Sequence, residues 1–188
     1  MKKKKLILIG SSTGGPGHLE KILSALPRDF SSTVIIAQHI AHVFLPSMIK
    51  SMNTRCAIEV IEAVENKSFQ GPLVVFASKN ITNLHYNPVN GLYLRKCTEP
   101  SHYQPCVDSL FSSASKLCTH YDVLACLLTG IGDDGAQGML SLSKAGALCV
   151  NENEQSSIVY GMPKAAYDLG ASSQELSLDH IITKIIAF

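Results

Sequence analysis

Apolar residues gather in short unbroken runs at Leu6–Ile9, Thr33–Ala37, Leu73–Ala77 and Val123–Leu128. Runs of that length, rich in β-branched and aliphatic residues, have the form of strands covered on both faces. Between the first two runs, Leu19, Ile22, Leu23 and Leu26 recur at helical spacing behind a Gly-rich turn. A helix-length crossover between two buried strands predicts a parallel pair, so the first 40 residues read as a βαβ unit. Phe44–Met52 reads as a helix and Ala57–Glu62 alternates like a half-exposed strand. Leu84–Tyr86 and Leu92–Leu94 flank Asn90-Gly91, a hairpin dipeptide. Val107, Leu110, Phe111, Ala114 and Leu117 mark a further helix with Pro105 at its start. After the run at Val123–Leu128 the pattern predicts a helix over Ala136–Lys144 stopped by Gly146, a short strand over Ala147–Val150 and a short helix over Pro163–Leu169. Leu178, Ile181, Ile182, Ile185 and Ile186 trace a terminal helix face capped by Ser177. Neither repeats nor linkers interrupt this order. The predicted fold is α/β, a doubly wound, mainly parallel sheet with helices on both faces and a small antiparallel hairpin, forming one domain over residues 1–188.

Composition narrows the function classes. Hydrophobic residues make up 46% and charged residues 16%, against a usual charged share of about 25%, which excludes disorder and implies a substantial core. Sixteen Lys and Arg against fifteen Asp and Glu leave a net charge of +1, too little to drive nucleic-acid binding through phosphate neutralisation. The six cysteines form no C-x-x-C pair, so neither a zinc site nor a redox pair is expected, and free buried thiols are. Lys2 to Lys5 precede an apolar run too short for a signal peptide, and no stretch is long enough to span a bilayer. Those lysines read as a solvated end, and the expected location is cytoplasmic.

The chemistry concentrates at three predicted strand ends. Gly10-Ser11-Ser12-Thr13-Gly14 matches G-x-S-x-G between a buried strand and a helix, the setting that lifts a serine hydroxyl above a sheet. The same glycines suit an anion loop, but their spacing is not G-x-G-x-x-G, and Pro16-Gly17 stands where a P-loop needs Lys and Ser or Thr. His39 follows the second strand and Asp134 lies in the loop after the strand that ends near Leu128. In a parallel sheet these are all carboxyl ends, where ligands and reacting groups collect. A serine nucleophile needs a histidine to take its proton, and the histidine needs a carboxylate to set its tautomer. Taken alone, His39 reads as a loop residue, and Asp134 reads as a helix cap, a role open to Asp133 as well. Their coincidence at one rim favours Ser12, His39 and Asp134 as a triad. An α/β-hydrolase arrangement with His180 as base and Asp168 as acid ranks lower, because both fall in predicted helices. The remaining histidines, His18 among them, read as surface residues.

The segments Ile9-Gly10-Ser11-Ser12-Thr13-Gly14-Gly15, Gln38-His39, Pro105-Cys106-Val107-Asp108, Leu128-Thr129-Gly130-Ile131-Gly132-Asp133-Asp134-Gly135-Ala136 and Tyr160-Gly161-Met162-Pro163 closely resemble, in order and spacing, the catalytic domain of the chemotaxis protein-glutamate methylesterases, the CheB family. The resemblance covers nearly the whole chain. It implies hydrolysis of glutamate γ-methyl esters on cytoplasmic helices of methyl-accepting chemotaxis receptors, with release of methanol, and often deamidation of receptor glutamines. It makes Ser12 the nucleophile, His39 the base and then acid, and Asp134 the orienting carboxylate, with backbone amides near Thr13 and Ile131 as the oxyanion hole. No metal or organic cofactor is implied. Family members usually carry an N-terminal receiver domain, whereas here the first catalytic strand begins at Leu6, so the expectation is no receiver domain in this chain: either the protein lacks that regulator or the chain is a fragment. Ala77-Ser78-Lys79-Asn80 and Gln104-Pro105-Cys106-Val107-Asp108 depart from the family's Ala-Pro-Gly and Arg-Pro-Ser-Val-Asp, which touches substrate contacts rather than the triad. The competing reading is a catalytically silent receptor-binding or anion-binding module with the same fold.

Overall fold

A computed structural model describes residues 3–188; Lys2 of the basic tip lies outside the described residues. Leu6, Ile7, Leu8 and Ile9 of strand β1 (Lys4–Ser11) are all fully buried, each worth about 1.5–3 kcal/mol of burial. Because side chains alternate along a strand, Leu6 and Leu8 join one core while Ile7 and Ile9 join another on the opposite face. The same division runs through β2 (Thr33–Gln38), β4 (Leu73–Phe76) and β7 (Tyr121–Leu127). With β3 (Val60–Glu62), β8 (Leu148–Glu152) and β9 (Gln174–Leu176) they form a seven-stranded parallel sheet in the order β3-β4-β2-β1-β7-β8-β9.

Helices α1 (Gly15–Ser24), α2 (Leu45–Asn53) and α6 (Leu178–Ala187) bury Leu19, Ile49 and Ile181 on the Ile7 face. Helices α3 (Val107–Ala114), α4 (Ala136–Lys144) and α5 (Met162–Asp168) bury Leu110, Met139 and Ala166 on the Leu6 face. The antiparallel hairpin β5 (Ile81–Asn87) and β6 (Gly91–Lys96) rests on that second face beside α3. The chain therefore is the doubly wound α/β sheet, helix-covered on both sides, that the apolar runs predict. Ser177 caps α6 as expected, its hydroxyl accepting from the His180 amide.

Several details differ. The predicted strand over Ala57–Glu62 pairs only from Val60, whose amide and carbonyl are both taken by the Asn53 side chain at 2.8 and 2.6 Å. The hairpin turn has three residues, Pro88 to Asn90, with Asn87 opposite Gly91 and its side chain accepting from the Val89 and Asn90 amides. Pro105 stands before α3, not in it; Cys106 is the N-cap, its sulfur accepting from Ser109 N. β9 had no sequence signal. No helix among the described residues is long and apolar enough to cross a membrane.

The topology sets where a site can form. From β1 the chain lays β2 alongside, crosses to the edge for β3, returns to insert β4 between β3 and β2, and later lays β7, β8 and β9 on β1's other side. The segments leaving β1 and β7 lead into α1 and α4 on opposite faces, so a crevice opens at their carboxyl ends, the switch point of such a sheet.

Candidate active site

Ser12 and His39 each lie one residue past the paired ends of β1 and β2, Ser11 and Gln38. Parallel neighbours sit about 4.8 Å apart, so register alone brings the two residues side by side at the rim. Buried Gln38 binds them together: its amide nitrogen donates to Ser12 O (3.0 Å) and to His39 O (2.9 Å), and its carbonyl accepts from Ser11 Oγ (2.6 Å). On the other flank Ser12 N donates to Thr129 O at 2.9 Å, joining the serine turn to the exit of β7. Ser12 itself is half-buried. The turn then needs Gly14, whose φ of 86° is left-handed and whose missing side chain leaves room for Ile158.

Asp134 is buried and accepts several donors. Its Oδ2 takes His39 Nε2 at 2.7 Å and Val107 N at 2.7 Å; its Oδ1 takes Asp108 N at 2.9 Å and Cys106 Sγ at 3.5 Å. Asp134 thus does not cap the helix that follows it. It caps α3, while Asp108 from α3 accepts from Gly135 N and Gly138 N at the start of α4. The two helices exchange carboxylates. Burial pushes the Asp134 carboxyl up, but the His39 hydrogen bond, the Asp108 and Val107 amides and the imidazole's charge outweigh it, leaving its pKa below the usual carboxylate value. An ionised Asp134 requires the proton of the shared bond to sit on His39 Nε2, so Nδ1 carries the free lone pair. The Cys106 thiol, pushed up to about 11 by burial first and by the Asp134 charge as well, stays protonated and can donate.

Thr13 and Ile131, the predicted oxyanion donors, are exposed at the crevice loops, and neither amide donates to another described residue. Ser12 N is not available for that role because Thr129 O holds it. His180 and Asp168 lie in or at the exposed faces of α6 and α5, far from any shared bond: His180 Nδ1 meets Ser177 and Asp168 meets Lys164.

Three residues around the site escaped the sequence reading. Tyr103 stacks on His39, with ring centroids 4.8 Å apart and planes within 6°. Glu152 is fully buried; its Oε2 accepts from Thr129 N (2.9 Å) and meets His18 Nδ1 (3.2 Å), and its Oε1 accepts from Ser156 Oγ (2.8 Å). His18 is therefore a buried residue of α1, contrary to the expected surface position, because it falls on the stripe of Leu19 and Ile22. Thr129, so held, also donates through its hydroxyl to Thr13 O, so the Glu152 network supports the serine turn from below. All six cysteines are free. Among the described residues no group of three or more His, Cys, Asp or Glu could hold a metal ion.

Residues 7–185 match the protein family described as CheB methylesterase. The chain is 39% identical over 188 residues to a protein-glutamate methylesterase/protein-glutamine glutaminase of Shewanella frigidimarina, covering 98% of this chain and 47% of the relative. It is 36% identical to a counterpart from Pseudomonas fluorescens, covering 98% and 54%. The chain thus spans about half the length of these relatives. The crystal structure of the Thermotoga maritima CheB methylesterase catalytic domain superimposes with a TM-score of 0.89 at 27% identity, covering 99% of both chains.

Proposed function

The chain belongs to the CheB methylesterase family, and on that premise we propose that it hydrolyses glutamate γ-methyl esters on the cytoplasmic helices of chemoreceptors, serving adaptation in chemotaxis, with glutamine deamidation as a second activity. The observation that carries the proposal is the 2.7 Å bond between His39 Nε2 and buried Asp134, on the same sheet rim as the Ser12 turn.

In this reading Ser12 Oγ attacks the γ-carbonyl carbon while His39 Nδ1 takes the hydroxyl proton. The carbonyl π electrons move to oxygen, and the Thr13 and Ile131 amides stabilise that oxyanion. Collapse breaks the bond to methoxide, which leaves as methanol with the proton from Nδ1. Water then attacks the Ser12 ester, giving its proton to Nδ1, and the glutamate carboxylate departs as Oγ regains it. Deamidation differs only in that ammonia is the first leaving group. Asp134 keeps its charge throughout and stabilises the imidazolium. The ring is used the opposite way round from the serine-protease template, in which Nδ1 faces the carboxylate. Every step draws on these three side chains, the two backbone amides and water.

A silent binding module would keep the fold without an activated serine. Methanol release from methylated receptor membranes, compared between the natural chain and Ser12→Ala, separates the two readings. The expected result is release by the natural chain, stoichiometric labelling of Ser12 by a fluorophosphonate, and loss of both in the variant with the fold unchanged. A natural chain inert to both substrate and label would overturn the proposal.

A further inference from the structure

The 2.7 Å bond to Asp134 holds one atom of the His39 ring, not its plane. A ring tethered at Nε2 alone can still swing about that contact, carrying Nδ1 toward or away from the serine. His39 has only its backbone amide and carbonyl otherwise engaged, through Ser11 O and Gln38 Nε2. What supplies the second constraint is Tyr103, whose ring lies 4.8 Å from the imidazole centroid and within 6° of parallel to it, inside the range of favourable offset stacking.

Tyr103 is itself seated. Its amide donates to Ser101 Oγ at 3.0 Å, and it lies three residues before Cys106, the N-cap of the helix whose first amides hold Asp134. Its hydroxyl lies over Gly132, where a methyl group on the glycine would come within 2.6 Å of the oxygen. Tyr103 therefore touches both the imidazole and the loop that carries Asp134 and Ile131. We infer that Tyr103 is the positioning residue that fixes the plane of the His39 ring, keeping Nε2 on Asp134 and Nδ1 aimed at Ser12. Its π face also lies against the imidazolium that forms when Ser12 is deprotonated, an attractive arrangement present only after proton transfer. The first effect concerns geometry at the moment of attack and the second the intermediate charge, so both act on turnover and leave ester binding alone. The inference rests on the Ser12-His39-Asp134 reading of the site.

The test compares the natural chain with Tyr103→Phe, Tyr103→Leu and Tyr103→Ala. Phe keeps the plane without the hydroxyl, Leu keeps apolar bulk without a plane, and Ala removes both. Three readouts apply: kcat and KM for methyl-ester hydrolysis, the rate of fluorophosphonate labelling at Ser12, and the low-field proton NMR signal of the His39 N–H bound to Asp134. The Phe variant is expected within about threefold of the natural chain in kcat and labelling. The Leu and Ala variants are expected to lose about tenfold in both, with KM within twofold and a broadened His39 signal. Leu performing as well as Phe, an Ala variant within twofold of the natural chain, or a change confined to KM would each overturn the inference. A natural chain that neither hydrolyses nor labels refutes the esterase reading instead, and the NMR signal across the four proteins then still decides the stack.

Discussion

Replacing Asp134 with Asn removes one charge and one acceptor at a point where four donors converge. The amide offers one oxygen and one NH2 group. If the oxygen takes the place of Oδ1, it satisfies Asp108 N, while the NH2 faces both Val107 N and His39 Nε2. His39 can answer by moving its proton to Nδ1, which then points a donor at Ser12 and can no longer act as base. Val107 N has no such escape. If the amide is turned over, Asp108 N is orphaned instead. In either orientation one buried amide in the first turn of α3 loses its acceptor, at about 1–3 kcal/mol, and the helix loses an anion at its positive end, at about 0.3–1 kcal/mol. Removing the Asp134 charge also relieves Asp108, whose pKa is raised by burial first and by that neighbouring carboxylate among other causes, so part of the loss is offset. The expected net is about 1–3 kcal/mol.

The pH dependence has a definite sign. Asp134 is held below its unfolded value of about 3.9, so its contribution is fully present above that pH and disappears as the pH falls through the folded value. Urea unfolding at pH 7 is expected to place the Asp134→Asn midpoint up to about 1 M below that of the natural chain, taking m near 3 kcal/mol/M. The gap should narrow steadily below about pH 4. Asp108 has the opposite slope, its raised value favouring the folded state at low pH, which is why the difference between the two proteins is the quantity to follow. On methyl-ester substrate the variant is expected to lose about 10⁴ in kcat, as the same change does in a serine-protease triad through the wrong tautomer. Coincident unfolding midpoints at pH 7, or a kcat within tenfold of the natural chain, would refute the reasoning.

Glu152→Ala strands the buried Thr129 amide and removes the partner of His18 and one of the two acceptors of the Ser156 hydroxyl, so a loss of about 2–4 kcal/mol in urea unfolding is expected, together with slower fluorophosphonate labelling of Ser12 because Thr129 O holds the Ser12 amide. Gly130→Ala places a methyl group 2.7 Å from Ser12 Cβ and in collision with Met162 Sδ; overpacking of that kind costs about 1–3 kcal/mol, to be read as a melting temperature lowered by about 2–4 °C per kcal/mol and as a fall in kcat from the displaced serine.

The sheet was legible because its strands are buried on both faces, which writes each of β1, β2, β4 and β7 as an unbroken apolar run, and the loops that follow such runs must share one rim. That is enough to set Ser12, His39 and Asp134 on the same edge without any contact being known. β9 was not legible for the converse reason: Gln174 and Glu175 are exposed, Leu176 is half-buried, and only pairing with Val150 to Glu152 makes the segment a strand. His18 could have been placed by its helical spacing to Ile22, but its partner Glu152 lies 134 residues away and follows no local rule.

What no local pattern encodes is why the carboxylate stays put. Asp134 precedes α4 in sequence, and a capping rule assigns it to that helix; in three dimensions it serves α3, and Asp108 at the start of α3 serves α4. Each helix can begin only if the other presents its acid, so the segments at 106–108 and 133–138 must dock together for either set of amides to be satisfied. A carboxylate held by two backbone donors that are also the first turn of a packed helix cannot rotate away from His39 without unmaking that turn. The rigidity the imidazole needs thus comes from an exchange between helices, and Tyr103, entering from the same segment that leads into α3, adds the one constraint this exchange does not supply, the orientation of the ring about its bond to Asp134.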